Sequence, residues 1–111
     1  QGLQSIDLTP LLDQPSLTPR LEVLIEEDQV HDMVRAGRSL RMRSLLTPDA
    51  RLSIYAGLEH GELFDRRADP SEMNNLFGRS EGAKLQADMM AQLAKSMMMH
   101  SDESPRPTAF A

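Results

Sequence analysis

There is no cysteine among the 111 residues. A disulfide scaffold and a thiolate metal site are therefore both excluded. There is no tryptophan, and only one Tyr and three Phe, so aromatics make up 4% of the chain. No apolar run approaches the ~20 residues needed to cross a bilayer as a helix. Positive charge is also short. Twelve Lys and Arg stand against seventeen Asp and Glu, which gives a net charge of −5 and a sequence pI near 5.1. Nucleic-acid binding relies on neutralising phosphates with basic side chains, so that class of partner is disfavoured. Arg35, Arg38, Arg41 and Arg43 do cluster, but no aromatics alternate with them to form a base-stacking surface.

What is present is enough for one small domain and not two. Eight methionines take much of the place that aromatics usually fill. Methionine packs irregular gaps well but specifies a unique arrangement poorly. A chain of this size buries roughly 60–70% of the surface its unfolded form exposes. A thin core of modest stability is expected, leaning on a neighbouring surface. The sequence opens at Gln rather than Met, which suggests a processed product or a fragment.

Residues 1–19 are punctuated by Pro10, Pro15 and Pro19. They read as a connecting arm that docks through its leucines, with one helical turn near Asp7–Leu12. Arg20–Glu27 alternates, which predicts a strand with Leu21, Val23 and Ile25 on its buried face. Asp28–Gly37 is polar and reads as a loop. Arg38–Thr47 alternates again through Leu40, Met42 and Ser44. Thr47-Pro48-Asp49-Ala50 predicts a tight turn, with proline fixing φ, and Arg51–Ala56 places Leu52, Ile54 and Ala56 on one face. Gly57–Gly61 is a second turn, and Glu62–Asp65 a short fourth strand. Short connections make antiparallel pairing the natural topology, while the position of the first strand stays open. Asp69-Pro70-Ser71-Glu72 carries helix-start chemistry for a short turn. Leu85, Met89, Leu93 and Met97 fall at i, i+4 spacing and predict a helix from about Ser80 to Met98, with Ala83, Ala87, Met90 and Ala94 widening its apolar stripe. Residues 101–111 form a polar, Pro-containing tail, extended or disordered unless Phe110 is anchored. The fold class is α+β: a small four-stranded antiparallel sheet with a C-terminal helix packed on one face.

Several side-chain groups have the right atoms for chemistry, and each has a simpler reading. Glu59-His60-Gly61-Glu62 offers two carboxylates and an imidazole, but no fourth metal ligand, and reads better as a solvated hairpin tip. Glu26-Glu27-Asp28 with His31-Asp32 lacks the alternating oxygen spacing and central glycine of a calcium loop. The Arg35–Arg43 cluster suits forked recognition of an anion, against the commoner role of surface charge and a lock on nearby carboxylates. Asp65 and Asp69 look like an acid/base pair but are accounted for by turn chemistry. Met97-Met98-Met99 resembles an adaptable surface. Met89 and Met97 are assigned to the core, and Met98 and Met99 to a partner.

Glu62–Gly78 reads ELFDRRADPSEMNNLFG. This stretch resembles the C-terminal subdomain of the sulfatases, in the alkaline-phosphatase-like superfamily, which carries E-L-Y-D-L-x-x-D-P-x-E-x-x-N-L before a helix. Glu62, Leu63, Phe64, Asp65, Asp69, Pro70, Glu72, Asn75 and Leu76 match it. Met42-Arg43-Ser44 and Arg51-Leu52 are similar to the family's V-R-T and K-L pairs, and Ser5–Leu12 to the hand-over from the catalytic domain. Phe64 stands where Tyr is common, Arg66 where Leu is, and Ala50 where an aromatic is usual. The sulfatase nucleophile comes from C/S-x-P-x-R. Ser16-Leu17-Thr18-Pro19-Arg20 places its proline one position late.

The resemblance therefore implies residues 20–100 as a non-catalytic subdomain, with no catalytic, metal or cofactor-binding residue in this chain. Its partner is a missing N-terminal catalytic domain, which holds a divalent cation, calcium, and formylglycine. His31, Arg43 and His60 are the candidates to reach the rim of that domain's substrate pocket. Alternatives are the same subdomain of a phosphodiesterase or phosphonate hydrolase, an independent protein-binding or self-associating module, and, last, an anion-binding protein.

Overall fold

Two short reversals organise the chain. In the first, the Thr47 hydroxyl and backbone amide both engage Ala50: the amide donates to the Ala50 carbonyl at 2.9 Å, and the Ala50 amide donates to Thr47 Oγ1 at 3.0 Å. In the second, Gly57 takes φ +73°, a left-handed value that costs glycine little. The computed structural model describes residues 7, 9–16, 22–28 and 40–101. Within them, strands β1 (Val23–Asp28), β2 (Arg41–Leu46), β3 (Ala50–Tyr55) and β4 (Gly61–Asp65) form one antiparallel sheet in the order β1-β2-β3-β4. A short helix, α1 (Pro10–Asp13), precedes the sheet, with proline in its first turn. A 3₁₀ turn, Ser80–Gly82, leads directly into α2 (Ala83–Met99). The α+β architecture expected from the sequence is the one observed. The helix expected over Ser80–Met98 is this 3₁₀ turn and α2 together.

One row of leucines fixes the core. Leu24 pairs with Leu45, Leu45 with Leu52, and Leu52 with Leu63, so four leucines cross the sheet side by side. Side chains directly opposite one another share a face. On that face α2 lays Met89 and Leu93, and together with Leu45, Ala50, Leu52 and Leu63 they form the buried cluster. Leu24, Ile54, Leu76, Phe77, Leu85 and Met97 pack around it.

This register corrects two face assignments. On β1 the core side chain is Leu24, not Val23 and Ile25, and Ile25 is 42% exposed. Val23-Leu24-Ile25 is apolar at both parities, so alternation alone does not choose a face, whereas pairing with Leu45 does. On β2 the core residue is Leu45, while Met42 and Ser44 point to the other face. Ser44 is nonetheless buried there, its hydroxyl 2.7 Å from that of Ser53 on β3. Two further expectations shift. Ala83, Ala87, Met90 and Ala94 do not widen the core stripe of α2: all are exposed, and Ser96 is buried instead. Asp69–Glu72 makes the short turn expected, the Glu72 amide donating to the Asp69 carbonyl at 3.1 Å, but no helical turn follows, because Glu72 sits at φ +54°. Leu12 of the arm is 82% exposed. Leu11 beside it is half-buried, while Ile6 and Leu8 of the arm and residues 102–111 with Phe110 lie outside the described residues. No helix among the described residues is long and apolar enough to cross a membrane.

Candidate functional site

The segment after β4 returns along that strand's outer edge and seals it. The Leu76 amide donates to the Leu63 carbonyl at 2.8 Å. Asn75 does the rest with one side chain: its Oδ1 accepts from the Leu63 amide at 2.9 Å and the Phe77 amide at 3.0 Å, and its Nδ2 donates to the Gly61 carbonyl at 3.0 Å. An edge strand's unpaired backbone groups are thereby satisfied without a fifth strand. Phe77 lies over Gly61, where even a Cβ would meet the ring at 2.6 Å and 2.7 Å.

The two aspartates build the reversal that makes this return possible. Asp65 Oδ1 accepts from the amides of Arg67 at 3.0 Å and Ala68 at 3.2 Å, while the Asp65 carbonyl accepts from the Asp69 amide at 2.8 Å. Asp69 Oδ2 in turn accepts from the Asn74 amide at 2.8 Å, and its carbonyl from the Glu72 amide at 3.1 Å. Pro70 stands in the exposed turn between them. One oxygen of each carboxylate is thus spent on the loop's own backbone.

Glu72 anchors the loop to the sheet face opposite α2. Both its oxygens accept from Arg51 Nε, at 3.1 Å and 3.2 Å, and Arg66 Nε stands 3.7 Å away. Arg51 also reaches Glu62 at 3.4 Å and Ser53 Oγ at 3.2 Å, with its guanidinium 5.0 Å from the Phe64 ring centroid. The hydrogen bond that Arg51 donates to Glu72 is the main cause that raises the Arg51 pKa; burial acts against it, and the Glu72 and Glu62 charges add to the rise. The Tyr55 hydroxyl donates to Glu62 at 3.4 Å, and its pKa is raised, first by burial and then by the Glu62 charge. Sequence reasoning did not single out Arg51 as a hub or the Ser44–Ser53 pair. The available signal was polar residues at the middle of strands, opposite one another in register.

The rim candidates separate. Arg43 is on the α2 face of the sheet, but its guanidinium is already engaged: Nε is 3.1 Å from Glu26, and Nη1 is 2.8 Å from Asp28 and 2.9 Å from the Met42 carbonyl. The hydrogen bond with Asp28 raises the Arg43 pKa and lowers that of Asp28. His60 is exposed in the β3–β4 connection and stacks on Tyr55, with ring centroids 6.2 Å apart and planes at 21°. Tyr55 belongs to the opposite face of the sheet from Arg43. His31, Arg35 and Arg38 lie outside the described residues. Among the described residues, no three His, Asp or Glu side chains come together as a metal-ion cluster. The carboxylates are dispersed instead: Glu26 and Asp28 on Arg43, Glu62 and Glu72 on Arg51, and Asp49 on Arg67 at 2.6 Å and 2.7 Å. A cleft of about 240 Å³ is lined by Arg41, Arg43, Ile54, Tyr55 and Ala56. Another, of about 480 Å³, lies between Gly78–Ser80 and the start of α2.

No model of a known protein family matches the chain. It is 29% identical over 104 residues to an N-acetylglucosamine-6-O-sulfatase from Bacteroides thetaiotaomicron, a match that takes in 93% of this chain and 19% of that protein. A protein solved in complex with its substrate D-glucosamine-2-N,6-O-disulfate shares 28% identity and a TM-score of 0.68, covering 96% of this chain and 22% of that one. A candidate sulfatase from Bacteroides thetaiotaomicron shares the fold, with a TM-score of 0.70 at 23% identity over 88% of this chain and 20% of that one. The chain thus spans about a fifth of the length of the relatives it matches. With the motif's residues all accounted for in one strand–loop–helix unit, this chain is a sulfatase homologue of subdomain size, in keeping with the family's C-terminal subdomain.

Proposed function

We propose that the chain is the non-catalytic C-terminal subdomain of a sulfuric ester hydrolase, and that it packs on and completes that enzyme's catalytic domain. The observation that carries this reading is the asymmetry of coverage: 93% of this chain aligns with 19% of a sulfatase. The chemistry points the same way. Ester hydrolysis of this class needs an activated nucleophile and an electrophile to polarise the sulfate. The sequence has no cysteine and no C/S-x-P-x-R motif, and Glu62, Asp65, Asp69, Glu72 and Asn75 are engaged in holding the loop. Among the described residues no three His, Asp or Glu side chains gather as a divalent-cation site, and the motif's carboxylates are tied to an arginine or a turn. Calcium and formylglycine, which the family resemblance implies, would belong to the parent's other segments. A 6-O-sulfated glucosamine is the substrate class proposed for the parent, supported by the two relatives named for such sugars.

The test is an assay of the purified 111-residue chain, with calcium, on 4-nitrophenyl sulfate and on glucosamine 6-sulfate. No turnover is expected. The longer protein encoded by the same reading frame should hydrolyse the sulfated sugar and lose that activity when these residues are deleted. Metal-dependent turnover by the short chain would overturn the proposal.

A further inference from the structure

The outward surface of α2 is divided into two lines. Lys84, Asp88, Gln92 and Lys95 recur at intervals of four, four and three residues and form a polar line. Ala83, Ala87, Met90, Ala94 and Met98 recur at four, three, four and four, so they too stand in register along the helix. All five are exposed, Met90 by 41% and Met98 by 76%, and no charge interrupts them. The core line of Leu85, Met89, Leu93 and Met97 already serves the sheet. A helix that covers one sheet and otherwise faces water needs only one apolar line; α2 has two. The second runs beside the cleft of about 480 Å³, whose floor includes Ala83, Ala87 and Met90 and whose wall is Gly78–Ser80.

We propose that this second line of α2 is the seat of the parent's catalytic domain; the inference rests on the function proposed above and names the surface it uses. The occupant follows from length. The relatives are about five times as long as this chain, so a body of some four-fifths of the protein must be attached to it. The seventeen residues of α2 extend roughly 25 Å at the usual helical rise. Exposed alanines let another backbone approach closely, and unbranched methionines adapt to an irregular partner. The sheet face opposite α2 is the weaker candidate, because Arg51, Glu62 and Glu72 hold its centre and interface cores are depleted in charge.

Because the chain has no cysteine, single probes can be placed cleanly. Ala87→Cys and Ala94→Cys sample the apolar line and Gln92→Cys the polar one. Each is labelled with a maleimide in the 111-residue chain and in the longer protein, and the modified peptide is quantified by mass spectrometry. In the short chain all three should react at similar rates. In the longer protein, Ala87→Cys and Ala94→Cys should slow on the order of ten-fold or more, as buried sites do, while Gln92→Cys keeps its rate. Unprotected Ala87→Cys in a longer protein that is an active sulfatase would overturn this inference alone. Concentration-dependent protection in the short chain would overturn it in favour of a second copy. A reading frame that encodes no sulfatase domain would overturn both proposals.

Discussion

Replacing Asn75 with alanine removes three hydrogen bonds at once: from the Leu63 amide at 2.9 Å, from the Phe77 amide at 3.0 Å, and to the Gly61 carbonyl at 3.0 Å. A typical intramolecular hydrogen bond contributes about 0.5–1.5 kcal/mol net, so the three together are worth roughly 2–4 kcal/mol. The upper part of that range is expected, because Leu63 is fully buried and a buried amide left without its acceptor costs more than an average hydrogen bond. In a domain this small each kcal/mol shifts Tm by about 4–8 °C, which predicts a fall of roughly 12–32 °C for Asn75→Ala. Asn75→Asp separates the contributions. It keeps an acceptor for both amides, loses the donor to Gly61 and sets a carboxylate oxygen against a carbonyl, so an intermediate loss of about 1–3 kcal/mol is expected. Urea unfolding followed by the circular dichroism of α2 gives both values, and hydrogen exchange at the Leu63 and Phe77 amides reads the edge directly. If both variants unfold within about 0.5 kcal/mol of the parent, with those amides still protected, Asn75 does not seal β4 and the account given for this motif is wrong.

Gly82→Ala should destabilise the chain by about 1–3 kcal/mol despite alanine's better helix propensity. Its Cβ would stand 2.7 Å from both the Leu76 Cβ and the Leu76 carbonyl oxygen, and the backbone there cannot step aside; a raised Tm would contradict this. Glu72→Gln should cost about 1 kcal/mol, discounted because the Arg51 pair is partly solvated, and Glu72→Gly should cost no more, since it relieves the φ of +54°. A glycine variant far weaker than the glutamine one in chemical denaturation would show that the backbone carries no strain. Tyr55 is the only tyrosine, so its ultraviolet titration is unambiguous and should lie above the ordinary value of 10.0. Because the native pKa is the raised one, the associated stability is complete below the unfolded-state pKa and is lost as pH rises through the native pKa. Tyr55→Phe should remove that alkaline loss, and an unchanged pH profile of Tm would exclude Tyr55 as its source.

Much of this architecture was legible from residue order. The turn at Thr47–Ala50, the pairing of β2 with β3, the i, i+4 line of Leu85, Met89, Leu93 and Met97, and the Glu62–Leu76 motif all depend on neighbours within a few positions. The faces of β1 and β2 were not legible. Val23-Leu24-Ile25 and Leu45-Leu46 are apolar at both parities, and a one-residue choice of register reverses every side chain. Nor was the role of Glu72. Its spacing after Asp69 fits a capping box, but the carboxylate is drawn instead to Arg51, twenty-one positions earlier in the chain, and the backbone follows into a left-handed turn. The carboxylate partners of Arg43 were legible only as a class: a lock on nearby carboxylates was the commoner reading, and the register of β1 on β2 is what delivers Glu26 and Asp28 in particular to its guanidinium.

By itself, then, the amino-acid order determined the elements, the short antiparallel connections and the membership of a loop motif, because hydrophobic period and turn chemistry act locally. Only the tertiary structure decided which leucines meet in the row from Leu24 to Leu63, which carboxylates neutralise Arg43 and Arg51, and that α2 keeps a second apolar line turned away from its own sheet. Those outcomes are set by pairing between residues distant in sequence, where burial of one common face selects a single register.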